Sequence, residues 1–313
     1  MRWAAPAGAR MWAPSRGRDV TPSPRQTAAL IDRDKKSLER IGVPAAAAVG
    51  KVLTTQVTAA FNDHASQAVL VAMISRYMNR LQPVILDGMV AGHLSGRARA
   101  IRMSAQGLAA NRKSMGAYDE ALDYYKKRMK LSPDDIERLR KLYGNEAAKT
   151  TRSASDLVER RATAAIQESI ENGEHIKDAM ARLQTAFESA GIVEPSPFLC
   201  ETLCRTGISQ GYAAGQYNAM ADPALQEMHT GWVYVTTGDM RVRDTHAELD
   251  GMTAAQDNEV WEKYLPPLGF NCRCTAIPLF SDFEEYIPDP LPEPDEGWGY
   301  DKRSAFTDHF NNT

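Results

Sequence analysis

The residues best suited to chemistry lie between positions 232 and 278, in two polar clusters. The first cluster consists of Asp239, Arg241, Arg243, Asp244, His246 and Asp250, and the second is the run Asn271-Cys272-Arg273-Cys274. In an extended segment, Cys272 and Cys274 point to the same side, about 6–7 Å apart. Two thiolates at that spacing, together with the imidazole of His246, would supply three ligands of a tetrahedral zinc site, and Asp239, Asp250 or His229 could supply a fourth.

Two other interpretations use the same residues. In the first, the clusters form a structural knot of charge-assisted hydrogen bonds, in which the cysteines pack as small buried residues. In the second, the site is catalytic: His246 activates a cysteine as nucleophile, or acts with Asp239 and Asp250 as a metal-dependent nuclease or hydrolase. The chain has no P-loop, G-x-G-x-x-G or H-E-x-x-H motif, and no enzyme class is positively indicated. The metal, knot and catalytic interpretations all stay open at this point.

The elements that must position these clusters are short strands and turns. The run Trp232-Val-Tyr-Val predicts a strand followed by a turn at Gly238-Asp239, and Cys274–Leu279 predicts a second strand. The segment from Asp244 to Asp250 is typical of one helical turn ended by Gly251, in which His246 and Asp250 would be neighbours.

Helical patterns precede the strands. Residues 27–131 predict two to four helices, with breaks at Pro44, Pro83 and the glycines 88, 92 and 96. Ser132-Pro133-Asp134-Asp135 predicts a helix start and Gly144-Asn145 its end. Further helices are predicted over Ser155–Glu171, Ile176–Ser189 and Ser196–Met220.

The helix predicted over Ser196–Met220 has a face of very small residues. Cys200, Cys204, Gly207, Gly211 and Gly215 follow one another at helical spacing. Because a glycine inside a helix costs about 1 kcal/mol relative to alanine, three of them indicate that another backbone approaches closely. On this interpretation, the two cysteines are small buried residues in a tight helix contact.

These patterns predict a predominantly α-helical α+β protein, in which a long helical N-terminal region precedes a compact helical domain with a small C-terminal β element. We divide the 313 residues into a basic flexible arm (1–26), a helical docking region (27–150), a compact domain (151–280) and an acidic, proline-rich tail (281–313). A hydrophobic content of 43% and a charged content of 25% are typical of soluble proteins. The sequence shows no secretory signal, membrane span or secreted disulfide framework, which favours a cytoplasmic compartment.

The net charge of -3 gives no overall attraction to nucleic acid, but the charge is unevenly placed. The arm is basic, with Arg2, Arg10, Arg16, Arg18 and Arg25 against the single acid Asp19. Such an arm could contact DNA, whereas the acidic tail could lie along a basic partner surface. A run of Arg97, Arg99, Arg102, Arg112 and Lys113 favours a solvated helix face over a binding surface.

The order of these motifs resembles the phage Mu F-like family of minor head proteins. The matching residues are Trp232, then Asp239-x-Arg241-x-Arg243-x-x-His246-x-x-Leu249-x-Gly251, Asp257, Pro266-Pro267 and Asn271-Cys272-Arg273-Cys274. The helix with Arg205-Thr206, Tyr212 and Gly215 also resembles the family's Arg-Thr helix. The similarity covers about residues 157–279. One departure is Gly207, where the family often has glutamate.

The resemblance implies a structural virion protein involved in head morphogenesis, present in few copies and associated with the portal or major capsid protein at the inner head surface. It implies host cytoplasm as the site of assembly, no membrane partner and no established catalysis. We therefore expect no catalytic residues, a structural cluster, and a candidate zinc site at His246, Cys272 and Cys274. The structural cluster comprises Arg205, Thr206, Asp239, Arg241, Arg243, Asp250, Asn271 and Arg273. The alternative function is a metal-dependent enzyme of nuclease or hydrolase type that is carried in the virion.

Overall fold

The computed structural model describes residues 22–62, 67–112, 116–172, 198–295 and 297–300, together with 178, 181, 182, 185 and 302. Four long helices come first: α1 (Pro24–Asn62), α2 (Gln67–Arg112), α3 (Gly116–Arg128) and α4 (Pro133–Glu171). They are followed by α5 (Phe198–Met220), α6 (Pro223–Gln226), β1 (Gly231–Val235), α7 (Asp244–Ala247), β2 (Thr253–Ala255), α8 (Val260–Tyr264) and β3 (Thr275–Leu279). The predicted class, a predominantly helical α+β protein, is confirmed. The predicted helix Ile176–Ser189 and most of the basic arm lie outside the described residues.

Helix α4 begins where the sequence predicts and continues past the predicted end. The Ser132 hydroxyl accepts a hydrogen bond from the Asp135 backbone N–H at 3.2 Å, and the Asp135 carboxylate accepts one from the Ser132 backbone N–H at 2.8 Å. This reciprocal cap satisfies donors that the first helical turn leaves unpaired. The prediction that Gly144-Asn145 ends the helix was wrong, because Tyr143 and Ala147 are both buried on the same side and keep the segment packed.

The predicted breaks at Pro44 and Pro83 were also wrong, because both prolines lie inside helices, α1 and α2 respectively. A proline inside a helix removes a backbone donor at a cost of about 3 kcal/mol. Here Ala46 lies two residues after Pro44, and Leu81 and Ile85 flank Pro83, all three fully buried. This packing offsets the cost of the proline. It depends on tertiary contacts, which the local sequence pattern does not contain.

Helices α2 and α5 make the most extensive contact between elements in the described chain, and glycines form its centre. A side chain at Gly211 would overlap the backbone carbonyl of Met89, and one at Gly215 would overlap that of His93. In return, Gly92 and Gly96 of α2 lie against the backbone of α5. The predicted close approach of another backbone to α5 is confirmed. Gly92 and Gly96, which were predicted to break α2, instead form the α2 side of this contact.

A three-stranded antiparallel sheet of order β2-β1-β3 follows the helices. Trp232 of β1 pairs with Ala254 of β2 and Pro278 of β3, so the two predicted strands are confirmed and a third, β2, was missed. Every residue of β1 is buried. On one face, Val233 and Val235 pack against Ile31 of α1 and Tyr212 of α5. Trp232 and Tyr234 face the main core on the other side.

The acidic tail continues along the sheet and the loops near it. Tyr286 forms an isolated β-bridge with Thr253, and the Lys263 ammonium lies 2.7 Å from the Glu293 carboxylate. Trp298 is buried against Phe270. The described part of the tail therefore packs on its own chain, while the division of the chain into four regions stays a prediction. Within the described residues, no helix combines the length and apolar character that crossing a bilayer requires.

Candidate metal centre

His246, Cys272 and Cys274 converge in one buried cluster. The Nδ1 atom of His246 lies 3.6 Å from the Sγ atom of Cys272 and 3.6 Å from that of Cys274. All three potential ligand atoms lie within 4.8 Å of one another, and each residue is only 3% exposed. Among the described residues, this is the group of histidine, cysteine and carboxylate side chains that could hold a metal ion.

Two backbone turns bring these side chains together. Arg243 precedes α7, and the His246 N–H donates to the Arg243 carbonyl at 3.0 Å. In the segment before β3, the Cys272 N–H donates to the Gly269 carbonyl at 3.3 Å, and Asn271 has a positive φ of 56°. Positive φ is uncommon except for glycine and asparagine, so this asparagine suits its turn. The Asn271 N–H donates to the Thr206 hydroxyl at 2.9 Å, which anchors the turn on α5.

The pKa values of the two thiols are shifted in opposite directions. A hydrogen bond from Cys274, aided by the His246 imidazole, lowers the pKa of Cys272 well below its ordinary value. The hydrogen bond to Cys272, together with burial, raises the pKa of Cys274 well above its ordinary value. The pair therefore favours one thiolate and one thiol, and the thiolate is the form that binds metals.

The predicted fourth ligands lie elsewhere. Asp239 binds Arg273 through both carboxylate oxygens, at 2.6 and 2.5 Å. Asp250 accepts hydrogen bonds from the backbone N–H and hydroxyl of Thr236, and His229 contacts the Gly231 carbonyl at 2.8 Å. Among the described residues, none of these three side chains joins the group that could hold a metal ion, so the predicted fourth ligand is not found there.

The polar residues predicted as a structural cluster mostly bind one another or the backbone. Arg243 donates to the Phe270 carbonyl at 2.8 Å, and Arg205 pairs with Glu201 at 2.9 Å. Arg241 is largely exposed, with its guanidinium 3.8 Å from Asp239. The side chains of the two sequence clusters thus separate into a buried thiol–imidazole group and a more exposed set of ion pairs. Two arginines of the basic run on α2 are also engaged: Arg97 contacts Asn218, and Arg99 pairs with Asp34 at 2.6 Å.

The structure does not assemble the carboxylate site of the enzyme alternative. His246 faces sulfur atoms, and the described residues contain no group in which His246, Asp239 and Asp250 meet at metal-binding distance. Asp250 is also held by Arg25 of α1 at 2.5 Å. The predicted helical turn from Asp244 to Asp250 is shorter than expected, because α7 ends at Ala247.

Sequence reasoning missed a lysine beside the cluster. Lys35 of α1 is only 5% exposed. Burial lowers the pKa of Lys35, and the nearby Cys272 and Cys274 oppose that shift. Lys35 lies far from the cysteines in the sequence and within an ordinary charged run. Its residue type and spacing therefore do not predict that it lies beside the thiols.

The fold and the buried cluster together define a helical α+β protein with a buried cysteine–histidine group in the segments next to its small sheet. Residues 160–277 match the protein-family model described as "Phage Mu protein F like protein". The predicted resemblance to the phage Mu F-like family is therefore confirmed over this segment.

Two curated relatives match the chain over 84 residues each. "Putative capsid assembly protein F" of Escherichia phage Mu is 34% identical, over 27% of this chain and 19% of the relative. "Mu-like prophage FluMu F protein" of Haemophilus influenzae (strain ATCC 51907 / DSM 11121 / KW20 / Rd) is 30% identical, over 27% of this chain and 20% of the relative. The match thus spans about a fifth of the length of each relative. No solved structure matches the chain.

Proposed function

We propose that this protein is a minor head component of a tailed bacteriophage or prophage and takes part in capsid assembly without acting as an enzyme. The observation that carries the proposal is the match of residues 160–277 to the Mu F-like family, together with a relative whose name describes capsid assembly. In this proposal the protein lies in the head near the portal vertex, at the inner surface.

The helical docking region, residues 27–150, would engage the portal or the major capsid protein. Among its described side chains, Ile41 is 78% exposed, Val52 45% and Val69 48%. These three side chains lie on the helices to which the proposal assigns docking, so they are the surface positions at which it can be tested.

A capture experiment with the full chain tests this assignment. Co-expression with the portal and major capsid proteins of the same phage should retain at least one of them on the tagged protein. The double variant Ile41→Glu with Val52→Glu should lose that partner, whereas Met240→Glu should retain it. Met240 is the matched control, because it is a fully exposed apolar residue in the compact domain. Capture of neither protein, or equal loss in both variants, would refute the docking proposal.

Contact with packaged DNA would come from the basic arm, residues 1–26. Arg25 is already bound to Asp250, so the contact depends on Arg2, Arg10, Arg16 and Arg18. Each phosphate neutralised adds about 0.9 to the slope of log affinity against log salt. Deleting residues 1–21 should therefore reduce the slope for duplex DNA by about 3–4. An unchanged slope would remove the arm from the proposal.

Zinc is the ion that we propose for the His246, Cys272 and Cys274 cluster. A tetrahedral zinc with Zn–S about 2.3 Å and Zn–N about 2.0 Å separates sulfur from nitrogen by about 3.5 Å. The two observed separations of 3.6 Å fit that value. Thiolate and imidazole ligands also suit zinc better than they suit magnesium or calcium.

The proposed role of the zinc is structural. All three ligands are buried, and the ion would fasten α7 to the turn before β3. The purified protein should contain about one zinc per chain by elemental analysis. Cys272→Ser should lose it, whereas Cys200→Ser should retain it, because Cys200 is a buried thiol on α5 outside the cluster. Wild-type protein without zinc, whose thermal midpoint is insensitive to a chelator, would refute this proposal.

A further inference from the structure

The candidate metal ligands His246 and Cys272 each complete a tight turn. The turn from Arg243 to His246 and the turn from Gly269 to Cys272 are both closed by the N–H of the ligand residue. The spacing of the two ligands therefore depends on how one turn is held against the other.

Arg243 joins the two turns directly. It is the first residue of one turn, and its Nη2 donates to the carbonyl of Phe270, inside the other turn, at 2.8 Å. On its other side, Nε lies 3.6 Å from the Asp295 carboxylate. The guanidinium group presents several donors in a rigid plane, so it can fix both partners at once.

Asp295 belongs to a segment that we name the C-terminal strap, residues 281–295 and 297–300. The strap lies outside the part of the chain that matches the family model. It is held by the bridge between Tyr286 and Thr253 and by the Trp298 ring, which packs on Phe270 with ring centroids 5.3 Å apart. A side chain at Gly269 would overlap the Asp295 carboxylate, so this glycine allows the strap to approach the turn.

We propose that Arg243, held by Asp295 of the C-terminal strap, is a positioning residue for the metal centre. It sets the distance between the turn that presents His246 and the turn that presents Cys272 without ligating the ion. This inference rests on the proposed zinc centre. It gives the strap a function toward that centre: the strap preorganises the ligands, and loss of its contact weakens metal binding while every ligand stays in place.

The test is the affinity of the full chain for Zn²⁺, measured by competition with a chromophoric chelator. Substitution of residues that support metal ligands typically lowers affinity about 10–100-fold. Arg243→Met should fall in that range. Asp295→Asn should also weaken binding, and Arg243→Lys should recover part of the affinity because it keeps a cation near Asp295. The matched control is Glu293→Gln, which removes another strap carboxylate that pairs with Lys263, away from both turns.

The absorption spectrum of the Co²⁺-loaded protein supplies a second measurement. Arg243→Met should shift the ligand-field bands relative to wild type, because the ligand geometry changes, whereas Glu293→Gln should leave them in place. If Arg243→Met does not fold, Asp295→Asn serves alone, since that side chain is 31% exposed and its loss should be tolerated.

The outcomes separate the two proposals. Wild-type protein that binds no Zn²⁺ would overturn the zinc centre and this inference together. Wild-type protein that binds Zn²⁺, with Asp295→Asn and any folded Arg243→Met within twofold of it and spectra unchanged, would overturn the positioning role alone. Equal weakening by Glu293→Gln would also overturn it, because the effect would then come from general loosening of the strap.

Discussion

Gly211→Ala should destabilise the protein, whereas Gly144→Ala should stabilise it. The substitution is chemically the same at both positions, and both glycines lie inside helices. At Gly211 the added methyl group would overlap the backbone carbonyl of Met89 on α2. At Gly144 the same methyl group meets nothing within 4 Å. The pair therefore separates helix propensity from the contact between α2 and α5.

The magnitudes follow from two opposing effects. Alanine is favoured over glycine in a helix interior by about 1 kcal/mol, and this gain applies at both positions. At position 144 nothing offsets it, so the free energy of unfolding should rise by about 0.5–1 kcal/mol. At position 211, overpacking costs about 1–3 kcal/mol. The cost should lie toward the upper end of that range, because the opposing atom is backbone and cannot rotate away. The net change is a loss of about 1–2 kcal/mol.

Equilibrium unfolding in urea measures the difference. Helix content by circular dichroism and tryptophan fluorescence should change together, which is the condition for comparing midpoints. Trp232, one of five tryptophans, is only 3% exposed and lies in the core that α5 shares with β1, so part of the fluorescence signal comes from the relevant region. If Gly211→Ala is as stable as Gly144→Ala to within about 0.5 kcal/mol, the backbone contact between α2 and α5 is refuted.

Three further predictions concern buried polar groups. Burial lowers the pKa of His229 to about 4, and burial together with Arg97 lowers that of His93 to about 3. Folding favours the neutral form of both imidazoles, so stability should fall with pH between the unfolded pKa of about 6.5 and these folded values. The expected loss is about 2–3 kcal/mol per histidine by pH 4.5, as urea midpoints against pH would show. Thr206→Val should cost about 1–3 kcal/mol, because the N–H of Asn271 loses its acceptor, and an unchanged urea midpoint would contradict this. Tyr217→Phe should cost about 1 kcal/mol, because its buried hydroxyl donates to a backbone carbonyl at 2.9 Å, and Tm with a matched Tyr124→Phe control at an exposed site would test it.

Elements were easier to predict than their ends. The cap at Ser132 and Asp135 is a local hydrogen-bonding pattern, so its residues predict it without the rest of the fold. The continuation of α4 past Gly144 depends on burial of Tyr143 against the protein, which local pattern does not contain. Strand β2 was missed because three residues, Thr253–Ala255, carry too little periodicity to be distinguished from a loop.

The candidate site shows the same division. Residue types and spacing identified His246, Cys272 and Cys274 as possible metal ligands, because thiols two residues apart in an extended segment point to one side. The spacing also made Asp239 and Asp250 equally suitable, and only the fold assigned them to Arg273 and Thr236.

The sequence alone determined the helical character of the chain, the two principal strands, the close approach at the glycine face of α5 and the family that residues 160–277 resemble. These depend on local propensity, on periodicity and on the order of motifs, and each of these is contained in a continuous stretch of the sequence. The tertiary structure alone decided that α2 is the partner of α5, that Lys35 lies beside the thiols and that the strap reaches Arg243. These depend on which distant segments meet. The local sequence around these residues does not identify their partners. Packing across the whole fold determines which group pairs with a buried charge and which backbone lies against a glycine face.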